Sequence, residues 1–287
     1  MKQRVISGFV IGAVTVFAGF AAEYEAGRIF LGMVLLVCSL IGYSELCAAC
    51  KVTEGLKKGN ALLYFGYAGT VIYYLGLFFL GDLISLDFYT LVMIVLLLLT
   101  LMGVYVITFP RFHCNQVMTA VFAFIYCPVL MSFIYRARLL PYGLYIYALI
   151  FFTTWICDTC AYFSGVAFGR HKMAPVLSPK KTVEGSVGGI AGSTVLCFLL
   201  SLLLKMRNPQ EQARFGLAFI LIGLIGSAVS EIGDLAASAI KRDHKIKDYG
   251  NCIPGHGGIM DRFDSVIFTT PIIYFLAELL VKSKLIG

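Results

Sequence analysis

SAIKRDHKIKDYGNCIPGHGGIMDRFDS, Ser238 to Ser265, is the most charged stretch of a 287-residue chain that is otherwise largely apolar. It holds four acids (Asp243, Asp248, Asp261, Asp264), five bases (Lys241, Arg242, Lys245, Lys247, Arg262) and two of the four histidines. Apolar runs flank it on both sides, at 215–240 and 265–281. A membrane span needs about 20 mostly apolar residues. A polar loop between two such runs makes the chain an integral membrane protein, with that loop held at a membrane surface.

The whole composition agrees. Hydrophobic residues make up 59% of the chain and charged residues 14%, against about 25% charged in an ordinary soluble domain. Working outward gives nine candidate spans, at 5–22, 29–50, 61–81, 88–108, 117–135, 141–165, 186–204, 215–240 and 265–281. The expected fold is all-α and polytopic, with about nine transmembrane helices. It is expected as one integral domain over 1–287, with 1–140 a helical scaffold and 141–287 the catalytic half. Lys2 and Arg4 before the first run resemble a signal peptide, but a retained helix is the expectation in so polytopic a chain. The net charge of +7 points to anionic headgroups or phosphorylated substrates before nucleic acid.

Orientation follows from the basic residues of the loops. An N-terminus inside gives fifteen Lys and Arg on the inner side and eight on the outer. The expectation is therefore a cytoplasmic N-terminus and an external C-terminus. Both long polar loops, 166–185 and 241–264, then face the cytoplasm, where nucleotides and magnesium are available.

The cysteines include two C-x-x-C pairs, Cys47/Cys50 and Cys157/Cys160. Such pairs suit zinc, yet both sit in apolar runs, where cysteine packs as a small hydrophobe. Packing is the expected role. Glu45, at the end of a span and near Lys51, is expected to form a headgroup-level pair.

Polar residues inside spans are more telling. Asp158 lies deep in WICDTCAYFSG, where an acid costs about 2.5–3.5 kcal/mol on insertion scales. It either pairs with a base or lines a polar cavity, and the cavity is the expectation. Arg170 follows at the surface. In LSPKKTVEGSVGG (177–189), Ser178 is expected to cap a helix with Pro179 at its first position. Lys180, Lys181, Thr182 and Glu184 would then gather at a helix N-terminus, a natural phosphate site. Glu231, Asp234, Ser238 and Lys241 recur at steps of three and four, so one helix face carries a polar stripe. Gly255, Gly257 and Gly258 with Pro254 make a turn able to cradle an anion. On a helix, Asp261 and Asp264 share a face, and with Asp234 they form a candidate magnesium site. His256 reads as an acid/base or a phosphate donor.

The pattern S-x-x-K-R-x4-K-D-x-G-x2-I-P-x-H-G-G-x2-D-R-x-D, Ser238 to Asp264, resembles the signature of the phosphatidate cytidylyltransferase (CDP-diacylglycerol synthase) family. So do D-x-x-A-Y at Asp158–Tyr162, F-G-R at Phe168–Arg170 and S-P-K-K-T-x-E-G at Ser178–Gly185. The resemblance covers the C-terminal half with specific motifs; the first half matches only as a string of spans. It implies an enzyme of the bacterial-type inner (plasma) membrane with its active site facing the cytoplasm. It implies CTP and phosphatidate as substrates, CDP-diacylglycerol and pyrophosphate as products, Mg²⁺ with a second, monovalent cation such as K⁺, and a homodimer.

On this reading Asp234, Asp261 and Asp264 hold the metal. Lys241, Arg242, Lys247 and Arg262 neutralise phosphates, while Asp248 orients Lys247 or binds the base. Asp158, Arg170, Ser178, Lys180, Lys181, Thr182, Glu184 and Ser238 contact substrate. An ion-coupled transporter and another lipid-phosphate enzyme, such as a polyprenol kinase, are the rival classes.

Overall fold

A computed structural model describes residues 2–52, 60–81, 83–204, 208–253, 255, 257–283 and 285. Pro254 and His256, both part of the expected site, lie outside them. Among the described residues there are nine helices: α1 (Lys2–Ala21), α2 (Glu25–Ala49), α3 (Ala61–Phe79), α4 (Leu86–Thr108), α5 (Cys114–Leu139), α6 (Gly143–Phe168), α7 (Val183–Leu203), α8 (Pro209–Asp243) and α9 (Met260–Lys282). Helices α2 to α9 are long and apolar enough to cross a membrane; α1 contributes a shorter apolar stretch, Ile6–Ala21. The fold is all-α and polytopic, as expected, and each span lies within a few residues of its place in the sequence. A two-stranded antiparallel hairpin, β1 (Lys172–Ala174) with β2 (Ser178–Thr182), precedes α7.

Two of the helices carry a π-helical turn. In α5 it spans Ile125–Val129 and contains Pro128, whose ring and missing N–H disturb the regular ladder. In α6 it spans Phe152–Ile156, ending two residues before Asp158.

The chain divides into two compact units, residues 1–135 with 244–262, and residues 136–243 with 263–287. In the first, the core is aromatic and tied by hydroxyls. Tyr43, Tyr73, Tyr74 and Phe124 are fully buried. Buried hydroxyls need partners, and these find one another: Tyr74 with Ser39 at 2.8 Å, Tyr73 with Ser132 at 2.8 Å and with Thr90 at 3.1 Å. The outer face of α4 is apolar and open, with Ile107 85% exposed alongside Val106 and Leu99. That is the surface a lipid-facing helix presents. Cys47 is buried here and Cys157 in the second unit, and all nine cysteines are free thiols.

In the second unit α6, α7 and α8 pack closely because α7 presents small residues. A Cβ at Gly189 would stand 2.9 Å from both the Ala161 Cβ and the Cys157 carbonyl oxygen. One at Gly185 would stand 2.9 Å from the Ala161 carbonyl oxygen. Glycines four apart let helix backbones approach to this distance, as small-xxx-small motifs do in membranes. Close packing of α6 on α7 in turn sets the walls of the site described below.

Gly189→Ala should therefore destabilise the protein by about 1–3 kcal/mol, since the obstruction includes backbone that cannot turn aside. Gly12→Ala, where nothing lies within 4 Å of the added carbon, should be neutral or gain up to about 1 kcal/mol. Thermal unfolding midpoints in one detergent, measured side by side, check the contrast.

Candidate active site

The hairpin sets the first part of the site. Pro179 forces Ser178 towards extended backbone, and an edge strand spares the N–H that proline lacks. Residues 178–182 accordingly form β2, with Ala174 opposite Ser178 and Lys172 opposite Thr182. This corrects the expected cap at Ser178. The cap is Thr182, extended at φ −120° and ψ 151°, whose hydroxyl accepts the Gly185 N–H at 3.2 Å. Glu184, in the first turn of α7, clasps the preceding segment. Its carboxylate accepts the N–H of Arg170 (3.1 Å) and of His171 (3.2 Å), and pairs with the His171 ring at 2.5 Å. Glu184 thus holds the segment that leads into the hairpin.

Lys181 leaves β2 towards α8. Its ammonium lies 2.8 Å from the Glu231 carboxylate and 2.7 Å from that of Asp234. Glu231 is 4% exposed. Its Oε2 also accepts the Ser186 hydroxyl at 3.1 Å, and its Oε1 receives a weak contact from the Cys157 thiol at 3.7 Å. Burial pulls the pKa of Lys181 down, but the two carboxylates outweigh it and the net shift is upward, so the ammonium stays charged across the physiological range.

Beside this triad a cavity of about 360 Å³ opens between α6, the hairpin and α7. Asp158, Tyr162, Lys180, Lys181, Thr182, Ser186 and Glu231 are among its lining residues. Asp158 is exposed and lines it; the sequence anticipated a cavity there, but most of its wall is apolar. Farther along α8, Lys241 stands 3.9 Å from the Asp264 carboxylate of α9. Asp264 is 8% exposed and has Asp234, Lys241 and Asp158 as its charged neighbours. Ser238 lies half-buried between Asp234 and Lys241 in sequence, and Arg242 is exposed.

The second unit therefore gathers four carboxylates, of Asp158, Glu231, Asp234 and Asp264, around two ammonium groups, of Lys181 and Lys241. Among the described residues no three His, Cys, Asp or Glu side chains meet as a ready-made metal cage. Magnesium does not need one: it usually takes one or two carboxylates and completes its shell with water and substrate phosphates. Hard oxygen donors of this kind fit such a cation.

The remaining expected residues belong to the first unit. There the stretch 244–262 makes a tight turn in which the Ile253 N–H donates to the Gly257 carbonyl at 2.8 Å. Gly257 has φ +84°, a conformation costly for any residue with a side chain, and a Cβ there would stand 2.9 Å from Asp261 Oδ2. Asp261 Oδ2 accepts the N–H of Tyr249 (2.8 Å) and of Gly258 (3.0 Å). This oxygen of Asp261 thus orders the loop. Lys247, Asp248 and Arg262 are exposed.

Three residues were under-read from sequence. Glu231 lay on the polar stripe but was given no role, although its three-residue step to Asp234 was visible. Ser186, two positions after Glu184, carried no signal beyond its hydroxyl. Glu45, expected in a headgroup-level pair, is instead buried and accepts the N–H of Ile259 and Met260. No local pattern joins residues 214 positions apart.

Residues 2–280 match the cytidylyltransferase family. A phosphatidate cytidylyltransferase of Bacillus subtilis (strain 168) is 33% identical over 288 aligned positions, covering 97% of this chain and 98% of its own. A protein of the same name from Synechocystis is 43% identical over 141 positions, covering 49% of this chain and 46% of its own. Another, from Haemophilus influenzae, is 35% identical over 176 positions, covering 58% and 60%.

Lys181→Met should lower stability by about 3 kcal/mol, because it strands Glu231 and Asp234 without their counter-ion. Lys181→Met combined with Glu231→Gln should recover part of that loss. Thermal unfolding of the purified variants in detergent checks both values.

Proposed function

Because the chain belongs to the cytidylyltransferase family, we propose that it transfers the cytidylyl group of CTP to phosphatidate, giving CDP-diacylglycerol and pyrophosphate. The observation that carries this reading is the Glu231–Lys181–Asp234 triad beside a cavity that Asp158 and Lys180 also line. The full-length similarity to a protein named phosphatidate cytidylyltransferase supports the choice of substrates. The excess of Lys and Arg on the expected inner side supports a cytoplasmic active site.

The reaction needs no protein nucleophile. A phosphate oxygen of phosphatidate attacks the α-phosphorus of CTP, the new P–O bond forms, and the bond to the β-phosphate oxygen breaks to release pyrophosphate. The chain's task is to hold two polyanions together and neutralise them, which is the main catalytic work in phosphoryl chemistry. Lys180 and Lys181, at the cavity wall, are placed to meet phosphate oxygens. Thr182 caps α7 and fixes the strand end that carries both lysines. Glu231 and Asp234 keep Lys181 charged and fix its direction. Asp234 and Asp264 are the residues that would hold Mg²⁺, which supplies charge neutralisation on the transferring phosphates. Lys241, against Asp264, holds that carboxylate in place. Lipid tails would remain among the apolar spans while the headgroup meets the water-soluble nucleotide. The same reading extends to a homodimer and to a monovalent cation such as K⁺.

Purified protein given CTP, phosphatidate and Mg²⁺ should release one pyrophosphate per CDP-lipid formed, and EDTA should stop turnover. Asp264→Asn should lower kcat by about 100-fold or more while membrane insertion is kept. Pyrophosphate release with product analysis by mass spectrometry checks this; a wild type that makes no CDP-lipid overturns the reading.

A further inference from the structure

One buried acid has no part in the chemistry above. Glu45, near the end of α2, is 9% exposed and flanked by the fully buried Leu46 and Cys47. Its two carboxylate oxygens accept the N–H of Ile259 at 3.1 Å and of Met260 at 2.9 Å. Helix α9 begins at Met260, and the first N–H groups of a helix have no acceptor within it. An anion at that end also meets the positive end of the helix dipole.

The fit is close on both sides. A Cβ at Gly250 or at Gly258 would run into the Glu45 carboxylate, so the loop backbone forms a socket around it. Asp261 completes the arrangement by accepting from Tyr249 and Gly258. Two carboxylates thus take four buried or half-buried backbone donors, at 249, 258, 259 and 260. One of the two comes from a helix more than 200 residues earlier.

We propose that Glu45 is a positioning residue for cytidylyl transfer. From α2 it fixes where the loop ends and α9 starts, and with that the placement in the first turn of Arg262, the residue to which the family signature gives the neutralising of substrate phosphates. It acts through backbone N–H groups and touches no substrate. The proposal rests on the transferase reading given above.

The test compares kcat, KM for CTP and thermal midpoint for wild type, Glu45→Gln, Glu45→Ala, Gly258→Ala and the Glu45→Ala/Gly258→Ala pair. Glu45→Gln keeps the volume but turns an NH₂ towards a backbone N–H. Its kcat should fall about 10- to 100-fold, the scale of a small misplacement of reacting groups, with KM for CTP within about threefold of wild type. Gly258→Ala, which displaces the carboxylate from the other side, should lower kcat similarly. In the Glu45→Ala background the added methyl has room, so it should cost little more, a coupling the double-mutant cycle reads directly.

Wild-type kcat per folded enzyme in Glu45→Gln, with only yield or midpoint reduced, overturns the proposal. So does an equal cost of Gly258→Ala in both backgrounds. If the Glu45 variants do not fold, Gly258→Ala decides alone, and a wild-type kcat there overturns the proposal. A wild type that makes no CDP-lipid overturns the transferase reading and this one with it; an active wild type beside an active Glu45→Gln overturns this one only.

Discussion

An ammonium group held between two carboxylates, Lys181 between Glu231 and Asp234, is the interaction on which the charged site of the second unit turns. A lone Glu231 at that depth would carry a desolvation penalty of several kcal/mol. A lone Lys181 would be driven towards its neutral form. Each makes the other tenable, and the pairing tethers the hairpin to α8. Close packing of α6 on α7 is a condition for it. The glycines at 185 and 189 let the two backbones approach, and Ser186, between them, donates to the same Glu231 oxygen that Lys181 meets.

The loop 244–262 is governed by a different constraint. Its chain reverses within a few residues and leaves backbone N–H groups with no ladder to join. Buried donors of this kind are almost always met. Here carboxylates meet them, one from within the stretch and one from α2. Glycine at 257 and 258 follows from the same demand, since side chains there would occupy the space of the accepting carboxylates. A glycine-rich signature that reads as an anion cradle is, in its own fold, also a cradle for the protein's own acids.

Much of the fold was legible because the span rule is a length rule. An apolar run of about 20 residues has few alternatives to a helix where water is absent, and the ends of α2 to α9 follow the apolar runs closely. The polar stripe on α8 was legible for a similar reason, since helical periodicity is rigid enough to align residues three and four apart. What failed was local preference in competition with tertiary pairing. Ser178-Pro179 has the chemistry of a helix start, yet β1 offers a partner strand and Thr182 offers a second cap four residues later. Glu45 failed by distance along the chain: its nearest base in sequence is Lys51, whereas its partners in the fold are backbone groups at 259 and 260. Neither π-turn was foreseen, although Pro128 inside an apolar run marks where one of them falls.

Asp261 and Asp264 show where sequence reasoning stops. They are three residues apart on one helix, and by spacing alone they are equivalent metal ligands. Their surroundings differ. An oxygen of Asp261 accepts two backbone N–H groups, so that carboxylate helps to build the loop. Asp264 is buried and has two other acids and a lysine as its charged neighbours. A cation adds most where carboxylates repel one another and least where peptide dipoles already satisfy them. The physical distinction between a carboxylate that builds the loop and one set among other charged side chains therefore lies in their neighbours, which are contributed by parts of the chain far from either residue in sequence.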